Sequence, residues 1–179
     1  NQSTESTSTR PIAGMAGMAC SVAASTTMAE PGTPWAPSQT AGGAAVAGAA
    51  LGNLVGAFGQ LAADGTGRTR WAVRGQGRMG TTPWGDPERY VENSPLFYLD
   101  RVRAPLLLLH GAEDRAVPLR LAGEIFVGLQ HLNRTVTLAR YAGEGHSWRS
   151  WRTPNKVDYW QRTLDWFDEH LGRGGLERR

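Results

Sequence analysis

The chain has 179 residues, 40% of them hydrophobic and 20% charged, with a formal net charge of +3. That length suits one folded domain with an irregular extension and is enough to bury a core, and no stretch approaches the roughly 20 apolar residues of a membrane span. The cationic excess is arginine, Lys156 being the one lysine, and the arginines are scattered. A nucleic-acid partner calls for a basic stripe or cluster, so none is expected; a high-GC genome that favours arginine accounts for the composition. Cys20 is the single cysteine, which excludes an internal disulfide and a multi-cysteine metal site. The chain opens on Asn1 with no basic-then-apolar leader, so it reads as a processed chain or a fragment. It is expected to be soluble, cytoplasmic or periplasmic, with the compartment unknown.

Residues 1–43 are rich in Ser, Thr, Ala, Gly, Met and Pro, and the first nine include no apolar side chain. Pro31, Pro34 and Pro37 break any helix or inner strand there. This segment is expected to be irregular or disordered. The pattern changes at Ala44, where Ala44–Gly48 reads as a short buried strand, and residues 44–179 are taken as the folded part. Gly52–Gly80 is Gly- and Arg-rich and reads as an excursion of loops and short helices. Asp86-Pro87 supplies an N-cap followed by Pro at the first helical position, and Asn93-Ser94-Pro95 offers a second such start.

Pro105–His110 is a continuous apolar run, as expected of a strand buried on both faces of a parallel sheet. Leu119, Leu121, Ala122, Ile125, Phe126, Leu129 and Leu132 then recur at helical spacing behind Pro118. Thr135–Tyr141 alternates and reads as another strand. In the last element Val157, Trp160, Leu164, Phe167 and Leu171 form an apolar stripe expected to dock on the sheet. Thr153 is expected to cap this helix and Gly172 to end it. Strand, helix, strand, helix at these lengths predicts an α/β fold, a mostly parallel sheet flanked by helices with right-handed crossovers.

In such sheets functional residues gather where strands end. One loop is His110-Gly111-Ala112-Glu113-Asp114-Arg115-Ala116-Val117-Pro118, and the next is Tyr141-Ala142-Gly143-Glu144-Gly145-His146. An Asp and then a His on successive strand-end loops is the downstream half of an α/β-hydrolase triad. His146 would take the proton of a nucleophilic hydroxyl and return it to the leaving group. Asp114 would fix the imidazole tautomer. Gly143 and Gly145 are expected to let the His loop turn tightly. His110 is expected to hydrogen-bond locally. His131 and His170 lie at helix C-termini, where positive charge is favoured.

The strings Thr82-Pro83-Trp84-Gly85-Asp86-Pro87-Glu88-Arg89-Tyr90, Asn93-Ser94-Pro95, Pro105 through Pro118, and Gly143-Glu144-Gly145-His146 together resemble the end of a prolyl oligopeptidase-type catalytic domain. The acylaminoacyl-peptidase and dipeptidyl-peptidase branches look closer than true prolyl oligopeptidase. The resemblance implies a partial α/β-hydrolase fold, a serine-type peptidase acting on short peptides through Asp114 and His146, and no cofactor or metal. It also implies a missing N-terminal part of the catalytic domain and a β-propeller before it. The family's Gly-x-Ser-x-Gly-Gly elbow does not occur in this sequence. Ser25 and Ser38 lie in the right region without the flanking glycines, so the nucleophile is unknown. Two other readings stand beside the peptidase: an inactive fragment or binding module of the same fold, and an α/β-hydrolase esterase.

Overall fold

The computed structural model describes residues 43–62 and 64–172. The irregular segment expected over 1–43 therefore lies, Gly43 apart, outside the described residues, as do Ser25, Ser38 and Cys20. Three parallel strands form one sheet in the order β1-β2-β3, with β1 at Ala45–Gly48, β2 at Leu106–Gly111 and β3 at Val136–Tyr141. Val46 pairs with Leu107, and Leu107 in turn with Thr137. The strands begin one residue later than the sequence suggests.

Between β1 and β2 the Gly52–Gly80 excursion anticipated from its glycines holds two short helices, α1 at Leu54–Phe58 and α2 at Thr69–Val73. After it come a third helix, α3 at Pro87–Glu92, and a 3-10 segment at Pro95–Arg101, at the two starts that the sequence offers. Asp86 caps α3, its carboxylate accepting from the Arg89 amide at 3.0 Å. Ser94 stands at the N-cap of the next segment, with Pro95 following as expected, but its side chain makes no capping bond there. Its buried hydroxyl donates to the Tyr90 carbonyl at 2.6 Å and accepts from the Leu54 amide at 2.9 Å, which ties α3 to α1.

β2 shows why an unbroken run of leucines belongs in the middle of a sheet. Side chains alternate between the two faces of a strand. Leu107 and Leu109 enter a core with Val46, Tyr141, Trp151, Tyr159 and Trp166, while Leu108 enters another with Leu99, Val102, Ile125 and Leu129. The second core lies under helix α4, Leu119–His131, whose buried positions Leu121, Ala122, Ile125 and Leu129 keep helical spacing. The first lies under α5, Thr153–Leu171.

The docking face of α5 differs from the expected one. Val157, Trp160 and Leu164 are 63%, 42% and 59% exposed, and Leu171 is exposed as well. The buried residues are Tyr159, Thr163 and Trp166, with Phe167 packed partly against them. The stripe is turned because aromatic area decides the docking. The Tyr159 ring meets Tyr141, Trp148 and Trp151 with centroids 5.7–6.4 Å apart. Each such ring buries more surface than a valine or leucine. Thr163 is tolerated on that face because its hydroxyl donates back to the Tyr159 carbonyl at 2.8 Å. The cap differs too: Arg152 is the N-cap and Thr153 already lies in the helix, whereas Gly172 ends it at φ +76° as expected.

Substitution separates the two stripes. Trp166→Ala should cost about 3–5 kcal/mol in a denaturant melt, as for buried aromatics generally. Leu164→Ala should stay within about 0.5 kcal/mol. Equal losses at the two positions would contradict the observed face.

Candidate active site

β2 and β3 are neighbours in register, so their C-terminal loops emerge side by side, with His110 opposite Arg140 and Gly111 opposite Tyr141. The Asp114 side chain has no exposed surface, and that of His146 is half exposed. His146 Nδ1 lies 2.8 Å from Asp114 Oδ2. The structure thus brings together the two residues that the sequence singled out. Nε2 of His146 makes no hydrogen bond to any described residue.

Asp114 sits in a ring of donors. Its Oδ1 accepts from the backbone amides of Ala116 and Val117, each at 2.8 Å. Its Oδ2 faces His146 and, at 3.4 Å, Nε2 of the fully buried His110. Burial opposes ionisation of this carboxyl. The hydrogen bonds from His110, Val117 and His146, with the charge of His146, outweigh it and hold the group below the ordinary aspartate range. His110 bonds locally, as expected, with Nε2 at 2.8 Å from the Val117 carbonyl.

Gly111 and Glu144, for which the sequence suggests no role, hold the loops together. At Gly111 a β-carbon would run into the backbone carbonyl oxygens of Glu144 and Gly145, so only glycine allows the loops to meet there. The Glu113 amide donates to the Glu144 carbonyl at 2.9 Å across the same contact. Glu144 itself is buried. Its Oε1 accepts from the Arg152 amide at 3.1 Å, from Arg152 Nε at 3.3 Å and from Asn155 Nδ2 at 2.6 Å. It thereby serves the start of α5 as an external cap. Burial raises its carboxyl, and the Asn155 and Arg152 hydrogen bonds more than reverse that. Trp151 Nε1 donates to the Gly145 carbonyl at 2.8 Å. The Gly-Glu-Gly-His string carried a visible signal for Glu144, but its partners lie eight and eleven residues on and become apparent only in the fold.

The two loop glycines are unequal. Gly143 has φ +73°, as a tight turn requires, and a β-carbon there would meet the Arg152 guanidinium, whereas one at Gly145 would meet open space. His131 ends α4 as expected, and the ring of His170 packs edge-on against Trp166 with centroids 4.2 Å apart. A cavity of about 500 Å³ between β3 and α5 is lined by Arg140, Tyr141, Arg152, Asn155, Asp158 and Arg162, among others, and neither Asp114 nor His146 lines it. No group of three His, Cys, Asp or Glu side chains suited to a metal ion occurs among the described residues. No helix among them is long and apolar enough to cross a membrane.

Residues 57–174 match the sequence model of the prolyl oligopeptidase family of peptidases. The chain belongs to that family. An uncharacterized peptidase of Bacillus subtilis, YuxL, is 31% identical over 87 residues, 48% of this chain and 13% of that protein. The acylamino-acid-releasing enzyme of Mus musculus is 32% identical over 85 residues, 48% of this chain and 11% of that protein. Among solved structures, the acylaminoacyl peptidase of Pyrococcus horikoshii superposes with a TM-score of 0.58 at 23% identity, covering 73% of this chain and 20% of that one. A puromycin-hydrolyzing peptidase of Mycobacterium tuberculosis gives 0.59 at 24% identity, with 72% and 18% covered. These likenesses show the fold, a partial α/β-hydrolase sheet with flanking helices. The matches span about a tenth to a fifth of the relatives' length.

Two outcomes follow for this family member. Gly111→Ala should cost about 1–3 kcal/mol, as overpacking does, because backbone carbonyls cannot swing aside; a neutral change in a melt would contradict the loop contact. Asp114 has a lowered folded pKa, so its charge contributes stability above the ordinary aspartate range and loses it as pH falls through the folded value. Asp114→Asn should cost about 1–3 kcal/mol near neutrality and flatten that acid limb when stability is followed against pH.

Proposed function

We propose that this chain supplies the acid–base half of a serine-type peptidase that hydrolyses short peptides. The observation that carries the reading is the 2.8 Å bond between half-exposed His146 and fully buried Asp114 at the C-terminal ends of adjacent parallel strands. In that arrangement Nδ1–H of His146 donates a hydrogen bond to Asp114, which leaves Nε2 as the base. Nε2 removes the proton of a serine hydroxyl as the oxygen attacks the peptide carbonyl, then returns it to the departing amine. Asp114 stays ionised throughout and stabilises the imidazolium.

The serine is proposed to stand on a segment that pairs with the outer edge of β1. That edge has no partner strand among the described residues. The sequence contains no Gly-x-Ser-x-Gly, and the matched relatives are several times longer than this chain. The exposed Val157, Trp160 and Leu164 of α5 are further apolar surface that the rest of a catalytic domain would cover. The missing elbow equally favours a second reading, in which the chain by itself is a catalytically inactive fragment of the same fold.

The test is complementation. The chain alone should show little peptidase activity and no labelling by a fluorophosphonate probe. Joined to the elbow-bearing half of a complete homologue, it should cleave short peptides and label at the elbow serine. His146→Ala in that chimera should lower the rate by about 10⁶-fold. A chimera that folds and labels equally well with and without His146 would overturn the assignment.

A further inference from the structure

We propose that His110 is a positioning residue for the Asp114–His146 pair, an inference that rests on the acid–base reading of that pair. Its ring is fully buried at the end of β2, with Nε2 at 2.8 Å from the Val117 carbonyl and 3.4 Å from Asp114 Oδ2. A carbonyl only accepts, so the proton sits on Nε2. Nδ1 is then an acceptor, and it is buried without a hydrogen-bond partner. An aliphatic side chain would end the strand without leaving such an orphan, so filling space does not by itself account for an imidazole at this position.

The ring joins two things that a plain core residue would leave separate. Through Val117 it straps the far end of the turn whose amides, at Ala116 and Val117, hold Asp114 Oδ1. Through the same N–H it lies against Oδ2, the oxygen that receives His146. The carboxylate therefore cannot rotate about its Cβ–Cγ bond without losing donors on both oxygens. The direction of Oδ2 fixes which nitrogen of His146 carries the proton. His110 touches neither substrate nor reacting atoms and acts through Asp114 alone.

The experiment is nitrogen-15 NMR of the histidine rings in the full chain, with His110→Gln, which keeps a side-chain N–H, and His110→Leu, which does not. In the unsubstituted chain neutral His146 should be mainly the Nδ1–H tautomer and His110 the Nε2–H tautomer. His110→Gln should keep the His146 tautomer ratio, and His110→Leu should lower it about threefold or more, the equivalent of one net hydrogen bond. A folded His110→Leu chain with the original ratio would overturn the proposal. A His110 ring protonated on Nδ1 in the unsubstituted chain would overturn it with no variant needed, even if the leucine variant fails to fold. Absence of the Nδ1–H form of His146 in the unsubstituted chain would instead sink the acid–base reading itself, which is a separate result.

Discussion

A carboxylate with no exposed surface must be met by donors or give up its charge. At Asp114 the fold meets it from three directions: two amides of its own loop, the ring of His110 on the strand before, and the ring of His146 from the next loop. Removing a charge from water costs several kcal/mol, and a set of well-aimed hydrogen bonds is what offsets it. The placement of His146 follows from this, because it is the one donor in the set that belongs to a different crossover.

Bringing that donor in requires the two strand-end loops to touch backbone to backbone. Gly111 permits the approach, and Glu144 secures it from the other side by accepting from the first turn of α5. The helix is in turn held by aromatic packing on Tyr159 and Trp166. The parts thus form one sequence of dependence, from the aromatic core under the sheet, through the start of α5 and the Glu144 carboxylate, to the loop that presents His146. Disturbing any of them reaches the histidine without touching it.

Much of this was legible in the sequence. The leucines of β2 declare a strand covered on both faces, and the spacing of Leu121, Ile125 and Leu129 declares the helix that covers one of them. The order of Asp114 and His146 on successive loops declares their meeting. The docking face of α5 was not legible, because counting apolar residues favours Val157 and Leu164 over Tyr159 and Thr163. The partners that decide the matter, Tyr141, Trp148 and Trp151, are brought to that face by the fold. The exclusion at Gly111 is likewise a contact between segments some thirty residues apart, and the Glu144 anchor reaches residues eight and eleven positions on across a turn, neither of which spacing alone reveals.

Asp114 is held in its ionised form although buried, because its donors outweigh its desolvation. The most direct measurement is a pH titration of the Asp114 carboxyl carbon by NMR in the intact chain. Its midpoint should fall below the ordinary aspartate value of about 3.9, with the carboxyl charged throughout the neutral range. A midpoint raised above that value would show that burial prevails, and would contradict the account of how His146 is held.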